Sequence, residues 1–159
     1  CSGSAHAVDV DGGSRRSSGM NALSVHLVST LFMAGLIVFV QVVHYPLMAK
    51  VGASSWVAYE TEHTVRTGWV VIPPMCAELF SACWIFTYAS TERTQRIALL
   101  GLVLLAVIWF STAIFQAPAH KKLSRGYDDK VHRRLVRSNW IRTFAWLARV
   151  PIAVALIFA

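Results

Sequence analysis

Four runs of apolar residues divide the chain, at about Leu23–Val43, Trp69–Ala89, Ile97–Gln116 and Trp140–Ala159. Each approaches the roughly 20 residues that an α-helix needs to cross a hydrocarbon core about 30 Å thick. Each is bounded by charge, proline or an aromatic side chain. Helix is the expected spanning form, because lipid offers no partner to a loose backbone N–H or C=O. The pattern predicts an all-α protein, an integral membrane four-helix bundle over residues 20–159. A soluble helical bundle fits poorly, since soluble helices keep a polar face.

Between the first two runs, Pro46 is expected to end the first helix or kink it. Ser54 or Ser55 then caps a new helix. There Trp56, Tyr59, His63 and Val70 recur at helical spacing, which predicts an interfacial amphipathic helix before the second span. Pro73-Pro74 should kink that span near its cytoplasmic end. The short connection over residues 90–95 makes spans two and three an antiparallel hairpin. Pro118 should close the third span, and Asp128 and Asp129 should start a short helix before the fourth. Residues 1–19, small, polar and rich in Gly and Ser, read as a disordered tail.

Composition agrees with this picture. Of the 159 residues, 55% are hydrophobic and 14% charged, against about 25% charged in soluble domains. The formal charge of +7 raises the question of nucleic acid. Its distribution answers it. Lys121, Lys122, Arg125, Lys130, Arg133, Arg134 and Arg137 all lie between spans three and four. Beside a membrane, such residues set topology and touch anionic lipid headgroups. No basic platform interleaved with aromatics, as single strands require, is present. Nucleic acid is therefore not an expected partner. With Lys50 and Arg66, that side of the bilayer carries nine basic residues, against Arg15, Arg16, Arg93 and Arg96 opposite. This predicts a cell membrane, bacterial and inner, with the nine on the cytoplasmic side and both termini outside. Cys76 and Cys83 share a face of the second span and read as small core residues, with no CxxC motif.

Two charges lie deep in the apolar runs. Glu78 is nine residues beyond Trp69, and Arg149 is nine beyond Trp140. Both spans run in the same direction, so each charge sits about 13 Å along its helix. An unpaired charge at that depth costs at least ~2.5–3.5 kcal/mol. Glu78 and Arg149 are therefore expected to meet, either as a structural pair or as the catalytic floor of a cavity. Gly35 and Trp109 fall at similar depth. Gly35 allows close approach of helices, and Trp109 is a candidate cofactor-binding wall.

A second constellation gathers at the cytoplasmic rim. His44, His63, His120 and His132 stand at one membrane level on four segments, accompanied by Glu60, Glu62, Asp128 and Asp129. Glu60-x-x-His63 and Asp129-x-x-His132 place acid and imidazole on one helix face. Metal sites need such N and O donors converging from a rigid frame. The expected ligands are His44, Glu62, His63, His120, Asp128 and His132, for iron or zinc, or a histidine pair such as His44 and His120 for haem. Arg66 and Arg142 are expected to clamp an anionic headgroup or cofactor, or to pair with Glu62 and Asp128. Any one of these histidines can equally be an interfacial residue bonded to a carbonyl. His26, alone near the outer end of the first span, reads as structural.

The set His44-Tyr45-Pro46, Glu62-His63, Pro118-x-His120 and Asn139-Trp140-x-Arg142-Thr143 resembles that of small bacterial four-span integral membrane proteins, over most of residues 23–149. The resemblance implies fold and location, and no activity comes with it. The first expectation for function is a membrane-embedded enzyme or redox protein, a metal-dependent oxidoreductase, whose cytoplasm-facing His/carboxylate site holds a metal or haem and acts on a lipid-soluble substrate. The alternative is a non-catalytic membrane subunit, in a protein complex or homo-oligomer, whose basic rim binds lipid or a partner.

Overall fold

The computed structural model describes residues 10–159. Six α-helices are present, with no strand among the described residues. They are α1 (Val10–Phe39), α2 (Tyr45–Met48), α3 (Trp56–Thr87), α4 (Glu92–Ser111), α5 (Ala117–Leu123) and α6 (Asp129–Ile157). Widened π turns, Val40–His44 and Thr112–Gln116, join α1 to α2 and α4 to α5. Four continuous rods result, each long and apolar enough to cross a membrane: Ser17–Met48, Trp56–Thr87, Glu92–Leu123 and Asp129–Ile157.

Both π turns answer a local backbone problem. Proline removes an N–H, and its ring collides with the carbonyl four residues back. Pro46 and Pro118 each lie two residues beyond a π turn. There the Tyr45 N–H reaches back to the Val40 carbonyl and the Ala117 N–H to the Thr112 carbonyl, five residues rather than four. The wider turn makes room for the ring, so Pro118 does not close its rod, and of the two outcomes expected at Pro46 the helix end is the one not seen. The first rod runs on to Met48 and the third to Leu123.

Residues 56–68 run without a break into the second span as one helix, α3, which passes through Pro73-Pro74. Asp128 starts no short helix of its own but caps the whole of α6, accepting from the N–H groups of Lys130 and Val131. Those bonds, Val131 first, together with Lys122 hold its carboxyl below the usual range. Of the residues read as a tail, 10–19 fall within α1 and 1–9 lie outside the described residues.

The rods alternate in direction and close a ring in the order α1, α3, α4, α6. Met33, Ala34, Ile37, Met75, Ala82, Leu105, Ile108, Ala145 and Trp146, from all four rods, fill the middle. Ile85, Ala98 and Leu156 close one end. Tyr45, Met48, Trp56, Leu123 and Leu135 close the other. Large apolar side chains also point outward, Phe80, Phe110 and Phe144 among them. Water would penalise such faces and lipid does not. Gly35 is exposed, with open space around it, so it mediates no close helix approach.

Trp56 pins the α3 start to the α5 end by donating its indole N–H to the Leu123 carbonyl at 2.8 Å. Trp56→Phe removes the donor and, at a fully buried position, leaves a void where the second ring stood. The Leu123 carbonyl keeps the Gly126 N–H, so the expected loss is about 1 kcal/mol for the bond and roughly 1–2 kcal/mol for the void, seen as a lower melting temperature in detergent.

Candidate functional site

Glu78 and Arg149 do meet. Arg149 Nε donates to Glu78 Oε1 at 3.0 Å, with both side chains almost fully buried. Thr30 donates to Oε1 at 2.7 Å and the Trp146 indole to Oε2 at 3.0 Å. Arg149 also donates to the Gly101 carbonyl. All four rods thus converge on one carboxylate and its guanidinium partner. His26 completes the layer 3.1 Å from the Ser81 hydroxyl, which itself donates to the Ala77 carbonyl.

Nearer the opposite end lies a cavity of about 460 Å³. Met33, Leu36 and Ile37 of α1, Val71 and Met75 of α3, and Trp109 of α4 form its apolar walls. Exposed Ile72, Ala117 and Lys121 stand at its rim, so it opens on the outer surface between α3 and the α4–α5 rod. Neither Glu78 nor Arg149 lines it.

His63 and His120 stand at the mouth of this cavity. His120 Nδ1 donates to Glu60 Oε1 at 2.6 Å, and Glu60 is fully buried. His120 Nε2 is 3.4 Å from the Tyr45 hydroxyl. His63 Nδ1 is 3.1 Å from the Thr67 hydroxyl. One ligand atom from each of Glu60, His63 and His120 lies within 4.8 Å of the others. Three ligands each about 2.1 Å from one ion stand roughly 3.4–3.6 Å apart, so closure needs a shift of up to about 1.4 Å. His44 stacks on His63 with ring centroids 4.5 Å apart. Glu60 Oε2 and His44 Nε2 are buried without a partner. Orphaned atoms of this kind call for an explanation, an ion being one.

The other expected ligands go elsewhere. Glu62 is exposed and pairs with Arg66 one turn on, so α3 turns both away from the cavity. Glu60, three residues before His63, shares its face instead. Asp128 caps α6 and bridges to Lys122 at 3.2 Å. His132 donates Nε2–H to the Tyr45 carbonyl at 3.1 Å, so it supports the backbone beside the first π turn. Arg142 and Trp109 both line the cavity, but Arg142 is buried and lies over the Trp146 ring at 5.3 Å rather than at the lipid surface.

Several residues here carry roles that the sequence reading did not assign. Tyr45 is a buried neighbour of His120. Gln41 accepts from Asn139 at 2.8 Å and donates to the Val136 carbonyl, and Gln116 donates to Ser138 at 3.0 Å. Both glutamines belong to the π turns. An amide inside an apolar run was the available signal. The chain matches no protein-family model, and no curated protein or solved structure matches it.

Proposed function

We propose that this protein spans a cell membrane, binds a divalent metal ion through Glu60, His63 and His120, and acts as a metal-dependent enzyme on a lipid-soluble substrate held in the adjoining cavity. The convergence of those three residues at the mouth of an apolar cavity carries the reading. Two imidazoles and one carboxylate suit zinc or iron(II) and leave coordination positions for substrate. His44 and Tyr45 stand close enough to orient ligands or substrate. A single ion is favoured over haem, because the three donors converge on one point rather than standing as a separated histidine pair. The lateral opening suits a substrate arriving from the bilayer. The mouth would lie at the cytoplasmic headgroup level, where the basic residues concentrate.

Elemental analysis of the purified protein tests this. About one ion per chain is expected, with most of it lost from His63→Ala and His120→Ala variants that still fold. A chain that holds no ion, even after loading with zinc or iron(II), overturns the reading.

A groove lined by Lys130, Arg133, Arg134, Arg137, Ser138 and Phe115 favours a second reading. In it the protein is a non-catalytic subunit docked through its basic rim to anionic lipid or a partner. A stoichiometric partner copurifying with the metal-free chain would support that instead.

A further inference from the structure

The cavity contains polar groups that the metal site does not use. Among its lining residues, Trp109 Nε1, Gln116 Oε1 and Arg142 Nε are buried without a partner. Arg142 is 8% exposed, and no carboxylate lies within ion-pair distance of it among the described residues. A buried guanidinium whose charge meets only the face of the Trp146 ring is the costliest of the three to leave without an anion.

The rods set the order of these groups along the cavity. Gln116 bonds to Ser138, which fixes one level between α6 and the antiparallel α4–α5 rod. Arg142 is one helical turn beyond Ser138, about 6 Å. Trp109 is seven residues before Gln116, roughly 10 Å deeper on the facing rod. Arg142 therefore stands between the two, with the Trp109 donor on its inner side. Met33, Leu36, Ile37 and Met75 supply the surrounding hydrocarbon surface.

We propose that Arg142 and Trp109 bind the carboxylate head of a lipid-soluble acid whose hydrocarbon chain fills the cavity. A guanidinium fork matches a carboxylate in shape and charge. An indole N–H donates only, so it too selects an acceptor. The head neutralises the unmatched charge, and the tail displaces water from apolar walls. Gln116 offers an acceptor, which a carboxylate cannot use, and stands outside the head site. A volume of about 460 Å³ lies within the ~300–1,000 Å³ usual for ligand pockets. The inference rests on the cavity being a substrate site, as proposed above, and not on the metal.

Binding of radiolabelled laurate to the full chain in lipid nanodiscs, with chelator present, tests it without involving the metal. Wild type is expected to bind laurate at least 10-fold more tightly than methyl laurate. Arg142→Gln should lose about 10-fold or more, and Arg142→Lys should recover part of the loss. If Arg142→Gln does not fold, Trp109→Phe serves, with an expected loss of about 5-fold. Equal binding of acid and ester, no binding by wild type, or unchanged laurate affinity in a folded variant overturns the proposal. Failure of the metal site would show only in the elemental analysis.

Discussion

Glu78→Ala is expected to abolish the folded bundle or leave it melting far below wild type. The substitution strips Arg149 of its counter-charge, and Thr30 and Trp146 of their acceptor, at a buried layer shared by all four rods. Removing one partner of a buried ion pair costs about 3–5 kcal/mol, because the other charge stays behind uncompensated. Total stabilities are only ~5–15 kcal/mol. The companion variant sharpens the test. Replacing both partners by apolar residues of similar volume, Glu78→Leu with Arg149→Met, should recover most of the loss. Thermal melting of the purified protein, read by size-exclusion chromatography, measures both. A Glu78→Ala protein melting within a few degrees of wild type would show that the pair does not hold the bundle together.

Glu60→Gln should weaken zinc or iron(II) binding by about 100-fold, while Glu62→Gln leaves it unchanged. The two acids are two residues apart and both flank His63 closely in sequence. Only Glu60 is buried against His120, whereas Glu62 spends its charge on Arg66 in the open. Losing even an outer-shell partner of a metal site typically costs 10–100-fold, and a direct ligand more. Equilibrium dialysis of the labelled metal reads the contrast. Equal losses in the two variants would remove Glu60 from the ligand set.

The four rods were legible because a sustained apolar run marks a helix apolar enough to cross a membrane, whatever the packing. The Glu78–Arg149 pair was legible for a related reason: equal distance from Trp69 and Trp140 places two charges at one depth, and only each other can relieve them. Glu60 was harder to choose over Glu62. That depends on how α3 is rotated about its axis, and an exposed i,i+4 pair gives no warning of it. His132 illustrates a different limit. Its partner is the backbone carbonyl of Tyr45, which carries no side-chain signature. Pro118 misled because proline usually stops a helix, and the π turns that let the rods continue past Pro46 and Pro118 are set by backbone geometry. Trp109 and Arg142 were visible as candidate binding residues, yet the depth of Arg142 had to come from the packing of α6.

The ion pair between α3 and α6 also has a consequence for how the protein is made. Its two members are 71 residues apart, and synthesis proceeds from the N-terminus. At ~5–20 residues per second, Glu78 is incorporated roughly 4–14 s before Arg149. During that interval the α3 carboxyl has no guanidinium to meet. Of the donors that hold it in the folded bundle, only Thr30 of α1 has by then been made.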